Sequence, residues 1–117
     1  MNRGDVVRVD LPPPDGPAGT EQFGTRPAIV VHANGARANL STVLIVPCTS
    51  KRKAIRFDGS VLIQPTTLNG LSFPSVALVS QMRAIDAARV RGSPMGQLSP
   101  NDLASIDTQM RRLLDLA

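Results

Sequence analysis

The chain has 117 residues, of which 42% are hydrophobic and 19% charged, and 13 Lys and Arg residues against 9 Asp and Glu residues give a net charge of +4. This length corresponds to a single domain, 1–117, with enough apolar residues to form a core. The longest apolar runs fall far short of the roughly 18 residues that a membrane span needs, and no signal-peptide pattern is visible. We therefore expect a cytoplasmic protein with no membrane partner.

The sequence contains one cysteine, Cys48, and one histidine, His32. One residue of each kind cannot form an internal disulfide or a thiolate–imidazole zinc site within one chain, so we expect no metal and no cofactor. His32 lies in an apolar strand pattern and Cys48 at a strand end without an activating base, which favours structural roles for both. Eleven of the 13 basic residues are Arg, which suits phosphate binding, although charge alone does not identify a partner.

Alternating apolar residues predict a series of short antiparallel strands. In 4–11, Val7, Val9 and Leu11 share one face and Arg8 and Asp10 share the other, which predicts a strand with one wet face. The further predicted strands span 26–33, 41–48, 60–64 and 75–86. The length of the last one indicates a bend that serves two sheets or closes a barrel. Because the connections are too short for crossover helices, a parallel α/β fold is excluded.

The segment 12–25 contains four Pro and three Gly, which predicts a long surface loop between the first two strands. Loops of about this length are commonly lids or binding loops, and a simple connection is the alternative.

The end of the chain changes to a helical period. Ser99, Pro100 and Asp102 form a helix start, and apolar residues then recur every three or four positions from Leu103 to Ala117. Together with the strands, this predicts a mainly β fold: a small, strongly curved, partly open barrel with a C-terminal α-helix of about 17 residues.

Two strand ends carry side chains that could bind a phosphate. Arg26 begins the second strand, and the third strand ends in Thr49 and Ser50. A basic stretch with Lys51, Arg52, Lys53 and Arg56 follows at once. A guanidinium, two hydroxyls and a basic loop together predict a phosphate site, although each feature is ordinary when taken separately.

The sequence resembles the MazF/PemK (Kid) family of toxin ribonucleases over essentially the whole chain. The matching segments are Arg3-Gly4-Asp5-Val6-Val7, Glu21-Gln22, Gly24-Thr25-Arg26-Pro27-Ala28, Val46-Pro47-Cys48-Thr49-Ser50, Gly70-Leu71-Ser72, Pro74-Ser75-Val76-Ala77, Gln81-Met82-Arg83-Ala84-Ile85-Asp86 and Gly96-Gln97-Leu98-Ser99. The resemblance implies an SH3-like, partly open barrel of the CcdB/MazF type, which agrees with the fold predicted from the residues.

The resemblance also implies a function. It is that of a type II toxin–antitoxin toxin: a homodimeric, metal-independent endoribonuclease, or mRNA interferase, that cleaves single-stranded mRNA at specific sequences and is silenced by a cognate antitoxin. The ribose 2′-OH attacks the adjacent phosphate and leaves a cyclic phosphate and a 5′-OH. The family motif places the catalytic residues on Arg26 and Thr49. We expect RNA to be bound by Glu21, Gln22, Phe23, Thr25, Ser50, Lys51, Arg52, Lys53, Arg56 and Gln81.

Two positions depart from the family pattern. Some members have an acid where this chain has Ser80, and others have a His where it has Thr20. Without these proton shuttles, the chemistry falls to Arg26, Thr49 and Glu21. Because Arg hardly deprotonates in water, we expect Arg26 to stabilise charge and not to act as a base.

The chain has few aromatic residues to stack on RNA bases: it lacks Trp and Tyr and contains only Phe23, Phe57 and Phe73. Phe23 and Phe57 flank the predicted site in sequence and are candidates for stacking, with packing roles as the alternative.

Two other functions remain open. One is a gyrase poison of the CcdB type, although such toxins end in a Trp-containing segment and this chain has none. The other is a catalytically inactive module that binds RNA or antitoxin, which Ser80 and Thr20 leave possible. Whether the protein is a ribonuclease or an inactive module, the antitoxin would be an acidic, partly disordered segment that folds over the basic groove and the Pro-rich loop.

Overall fold

The computed structural model describes residues 1–12, 24–35 and 41–116, and within them the chain forms seven strands and one α-helix. The strands are β1 (Asp5–Leu11), β2 (Gly24–Val30), β3 (Thr42–Thr49), β4 (Ser60–Ile63), β5 (Ser75–Leu78), β6 (Arg83–Asp86) and β7 (Val90–Gln97), and the helix α1 spans Pro100–Leu113. Short 3₁₀-helices lie at Arg52–Arg56, Val79–Gln81 and Ala87–Arg89. The predicted mainly β fold with a terminal helix is confirmed.

The sheet follows the order β4-β5-β3-β2-β1-β7, with antiparallel pairing throughout. Strand β3 pairs with β2 along one edge and with two different strands along the other. Its last residues, Cys48 and Thr49, pair with β5, and its first four pair with β6. The sheet therefore bends around β3, as the long predicted strand 75–86 required.

Several predicted elements differ from the observed ones. The strand predicted at 26–33 spans Gly24–Val30, so its start lies within the predicted loop 12–25. The strand predicted at 75–86 is two strands separated by the 3₁₀-helix Val79–Gln81. Strand β7 was missed because Gly92, Pro94 and Gly96 disfavour an extended ladder, and its pairing with β1 overrides that preference. The helix has 14 residues, not 17, and is followed by Asp115 with a φ of 55°.

Apolar side chains are buried on both faces of the sheet. Val7, Val9 and Leu11 of β1 lie in one cluster, together with apolar residues of β2, β3 and β6. Val6, on the face predicted to be wet, is fully buried in a second cluster that includes Ile106 of α1. The prediction of one wet face is therefore wrong for Val6, because the terminal helix covers that part of the sheet.

Helix α1 is fixed at its start by hydrogen bonding and along its length by packing. The Ser99 hydroxyl accepts a hydrogen bond from the Asp102 N–H at 3.1 Å, which confirms the predicted cap. Ile106 is fully buried against the sheet. Arg3 forms an ion pair with Asp107 and donates from Nε to the Val31 carbonyl at 3.1 Å, so the N-terminal segment ties the helix to the end of β2.

The connection between β4 and β5 is built around the buried side chain of Asn69. Its Oδ1 accepts hydrogen bonds from the N–H groups of Thr66 and Leu71, both at 3.0 Å, and its Nδ2 donates to the Gln64 carbonyl at 2.9 Å. Gly70 follows with a φ of +72°, and a Cβ there would lie 2.3 Å from the carbonyl oxygen of Met95. This loop is therefore held against β7.

Replacing Gly70 with Ala tests that contact. Gly70→Ala should lower the free energy of unfolding by about 3 kcal/mol or more, because it adds a backbone clash to the cost of a positive φ. Gly92→Ala is the matched control, since Gly92 also has a positive φ, +65°, but no atom lies within 4 Å of the added Cβ. We expect a loss of about 1 kcal/mol there, measured by urea denaturation. Equal losses in the two variants would contradict the close approach.

Candidate functional site

A cleft of about 400 Å³ opens where β2 begins and β3 ends, beside the segment that leads into β5. Its lining is mostly polar or basic at the surface and apolar at the base. The residues that line it are Arg8, Thr25, Arg26, Pro27, Cys48, Ser50, Leu71, Ser72, Phe73, Ser75 and Met95. Three residues predicted from the sequence, Thr25, Arg26 and Ser50, are thus brought together from two strands.

Arg26 lies near the start of β2, and Thr49 lies at the end of the neighbouring strand β3. The two strands pair from Ala28 opposite Pro47 to Val30 opposite Ile45, so Arg26 and Thr49 each lie two residues beyond the same end of the paired stretch. Thr49 is 2% exposed, and its hydroxyl oxygen accepts a hydrogen bond from the Lys51 N–H at 3.2 Å. The exposed Ser50, directly after Thr49, offers a hydroxyl at the cleft surface.

One side of the cleft is held by a network around Asp10. The Thr25 hydroxyl donates to Asp10 Oδ1 at 2.7 Å, and Arg91 of β7 donates from Nε to Asp10 Oδ2 at 2.5 Å. The hydrogen bond from Thr25, followed by that from Arg91, lowers the pKa of the Asp10 carboxyl. Asp10 is therefore ionised at neutral pH and offsets the charge of Arg91.

The remaining predicted residues lie in three different places. Lys51, Arg52, Lys53 and Arg56 are exposed in and beside the first 3₁₀-helix, directly after Ser50. Gln81 lies apart from the cleft, in a groove that also contains Phe57, Ser80 and Leu113. Glu21, Gln22 and Phe23, together with Thr20, lie outside the described residues.

Sequence reasoning missed several residues of the cleft, of which Arg8 and Phe73 are the largest. Arg8 was assigned to the wet face of β1, but its closeness to Arg26 depends on the pairing of β1 with β2. Phe73 lies between Ser72 and Pro74, outside any strand pattern, and is 68% exposed. A phenylalanine between a turn residue and a proline was the one available signal of an exposed ring.

The single cysteine and histidine occupy buried positions. Cys48 is fully buried, and burial raises the pKa of its thiol to about 12. His32 is buried two residues beyond the end of β2. The predicted structural role of Cys48 is consistent with this burial, because a neutral, enclosed thiol is a poor nucleophile.

The described part of the chain offers neither a group of metal ligands nor a membrane-spanning helix. In residues 1–12, 24–35 and 41–116, no three His, Cys, Asp or Glu side chains are grouped as metal ligands. No helix in those same ranges is long and apolar enough to cross a membrane.

The sequence matches the family model described as "PemK-like, MazF-like toxin of type II toxin-antitoxin system" over residues 2–114. The chain belongs to this family. Among curated members, endoribonuclease MazF9 of Mycobacterium tuberculosis is 33% identical, over 99% of this chain and 98% of the relative. The endoribonuclease toxin MazF of Escherichia coli K12 is 32% identical, over 95% and 91% respectively.

Solved structures of the family share the fold. MazF from Deinococcus radiodurans superposes with a TM-score of 0.79 at 24% identity, covering 99% of this chain and 97% of that one. An endoribonuclease bound to its cognate antitoxin, from a mycobacterial species, gives a TM-score of 0.76 at 20% identity, covering 100% and 97%. The family membership favours the ribonuclease over the gyrase poison considered from the sequence.

The burial of Cys48 gives a test of the cleft floor. At pH 8 the native protein should resist alkylation by iodoacetamide, because the thiol is enclosed and its pKa of about 12 leaves it protonated. The unfolded chain in concentrated urea should be modified quickly, as followed by intact mass. Cys48→Ala should add no label in either state, since the chain has one cysteine. Rapid labelling of the native protein would contradict the buried position.

Proposed function

We propose that this chain is the toxin of a type II toxin–antitoxin pair and an endoribonuclease whose active site is the cleft containing Arg26 and Ser50, with Thr49 at its edge. The observation that carries this proposal is that Arg26, near the start of β2, lines one cleft with Ser50, which follows Thr49 at the end of the neighbouring strand β3. The family membership and the endoribonuclease names of the curated relatives support it.

The proposed reaction uses the substrate's own hydroxyl. The ribose 2′-oxygen forms a bond to the adjacent phosphorus, the bond from phosphorus to the 5′-oxygen breaks, and a cyclic phosphate and a 5′-OH result. The 2′-OH proton is lost, and a proton reaches the departing 5′-oxygen. The Arg26 guanidinium offsets the charge that builds on the phosphate oxygens, and the Thr49 hydroxyl donates to one of them.

Proton transfer is the step for which the described residues of the cleft offer the fewest suitable side chains. Among the described residues that line it, none carries a carboxylate or an imidazole. Ser80, in place of the acid of some family members, lies in the separate groove with Gln81. We therefore assign proton transfer to Glu21 and keep Arg26 and Thr49 for charge stabilisation.

The substrate that we propose is single-stranded mRNA, and the corresponding location of the protein is the cytoplasm. The exposed Lys51, Arg52, Lys53 and Arg56 extend positive charge away from Ser50 along the path of a bound strand. The same charges suit a cognate antitoxin with an acidic, partly disordered segment, which would cover the cleft and block RNA. Structures of relatives bound to antitoxin support this partner class.

We further propose a homodimer in which a second copy of this chain covers the apolar groove at the end of α1. This groove has a volume of about 290 Å³ and is lined by one polar residue, Ser80, and by the apolar residues Val79, Met82, Met110, Leu113 and Leu114. Leu114 is 53% exposed, and Leu116 beyond it is 60% exposed. Exposed apolar residues concentrated at one end of the helix are typical of a surface that is buried on association.

The active-site assignment is tested by cleavage of a labelled RNA pool in EDTA. Arg26→Gln and Thr49→Val should each reduce the rate by about 100- to 1,000-fold, the usual cost of losing a group that stabilises an oxyanion. Arg111→Gln is the matched control, because Arg111 is exposed in the last turn of α1, away from the cleft. Ser50→Ala tests the role of the second hydroxyl, and Glu21→Gln tests the role of the proposed proton carrier.

Product ends report the chemistry independently of the rate. Cleavage by the 2′-OH leaves 5′-OH ends, which a polynucleotide kinase labels without prior phosphatase treatment, and a 2′-deoxyribose at the cut site should block the reaction. Full activity in both folded variants, Arg26→Gln and Thr49→Val, would refute the assignment. Products with 5′-phosphates would refute the mechanism.

The homodimer is tested by sedimentation at micromolar concentration. One wild-type chain has a mass of 12.4 kDa, and the mass determined by sedimentation should be twice that value. Leu114→Lys should shift it to the monomer, because a buried ammonium without a partner opposes association. Leu68→Lys is the control, since Leu68 is 77% exposed on the loop between β4 and β5, outside the groove. A monomeric wild-type protein would contradict the dimer.

A further inference from the structure

Phe73 is an exposed aromatic ring at the rim of a charged cleft. Its side chain is 68% exposed, yet it lines the same cleft as Arg8 and Arg26. A large apolar side chain left in water contributes little to folding, so packing does not account for it. Its position beside two guanidinium groups and several hydroxyls suits a ligand that combines a flat ring with a phosphate.

The backbone that carries Phe73 is held from both sides. Before it, the buried Asn69 accepts and donates hydrogen bonds that close the loop, including one from the Leu71 N–H at 3.0 Å. After it, the buried hydroxyl of Ser75 donates to the Phe73 carbonyl at 3.1 Å. Gly96 of β7 allows the loop to approach, because a Cβ there would lie 2.2 Å from the Leu68 carbonyl oxygen. The ring is therefore displayed by a braced segment, which reduces the entropy lost when a ligand binds.

Arg8 supplies a second positive charge to the same cleft. It is exposed in the middle of β1, where it pairs with Pro27 of β2 on one side and Arg91 of β7 on the other. Asp10, the nearby carboxylate, is engaged by Arg91 and Thr25. No acidic side chain of the described residues forms an ion pair with Arg8. Arg8 therefore keeps its charge for an anion in the cleft.

We propose that Phe73 and Arg8 form a nucleotide subsite of the cleft, in which Phe73 stacks on one RNA base and Arg8 binds the phosphate next to it. This subsite rests on the proposed function, because it holds the RNA that Arg26 and Thr49 cleave. Phe73, which the sequence did not single out for stacking, is then the stacking residue of this subsite. Phe57 lies instead in the groove with Gln81 and Leu113. Stacking tolerates any base, so this subsite contributes affinity and position more than sequence choice.

The first test measures binding of an oligoribonucleotide that carries a 2′-deoxyribose at the mapped cut site and therefore stays intact. Phe73→Ala should weaken binding by roughly 5- to 100-fold, the usual range for loss of one stacked base. Phe73→Trp should restore it, whereas Phe73→Leu, which keeps apolar area without a π face, should not. Leu68→Ala is the control for removing an exposed apolar side chain from the same loop.

Two further readouts separate the subsite from a general loss of structure. The bases near the cut site are replaced one at a time with abasic sugars. At one position this replacement should weaken binding to the wild-type protein. In Phe73→Ala the same replacement should cause no further loss of affinity. The logarithm of the binding constant falls linearly as the logarithm of the salt concentration rises. Arg8→Gln should make this slope shallower by about 0.7, as expected for the loss of one phosphate contact on a single strand. Phe73→Ala should leave this slope unchanged.

The outcomes divide cleanly between the two proposals. If the wild type cuts no RNA, the proposed function fails and the subsite fails with it. If the wild type cuts RNA but Phe73→Ala binds as the wild type does, or keeps the full abasic penalty, the subsite alone is refuted. An unchanged salt slope in Arg8→Gln refutes the phosphate contact.

Discussion

Strand β3 is the element on which the rest of the structure depends, because it pairs along both edges and with two different strands on one of them. Its first half is paired with β6 and its end with β5, so the sheet must bend where the 3₁₀-helix Val79–Gln81 intervenes. The segment before β5 lies next to the start of β2 and the end of β3, and these three parts of the chain enclose the cleft.

The second organising feature is the distribution of charge around that cleft. Arg8 and Arg26 both line it, and the Asp10 carboxylate beside it pairs with Arg91 of β7. Thr25 is exposed at the wall of the cleft. Its hydroxyl donates a hydrogen bond to Asp10 and so fixes the orientation of that carboxylate. A cleft built in this way favours a polyanion over a neutral ligand before any specific contact forms.

The proposed ribonuclease and the proposed nucleotide subsite use complementary parts of this arrangement. Arg26, Thr49 and Ser50 lie at strand ends, where the sheet fixes their backbone positions. Phe73 lies on a loop, but Asn69 and Ser75 give that loop hydrogen bonds within the fold. Chemistry on strand ends and binding on a braced loop would let the substrate be positioned without a large rearrangement.

The sequence by itself determined the strand-rich class, the helix start at Ser99 and the phosphate-site candidates Arg26, Thr49 and Ser50, because these depend on local patterns: alternation, capping, and basic or hydroxyl side chains at the ends of predicted strands. It could not determine β7, whose Gly and Pro residues disfavour a strand until β1 supplies a partner, or the division of 75–86, which follows from pairing with β3. Phe57 flanks the predicted site in sequence, and the family resemblance included Gln81 in it, but both residues lie in another groove. Only the tertiary structure brought Arg8 and Phe73 to the cleft, since their proximity arises from contacts between strands far apart in the chain.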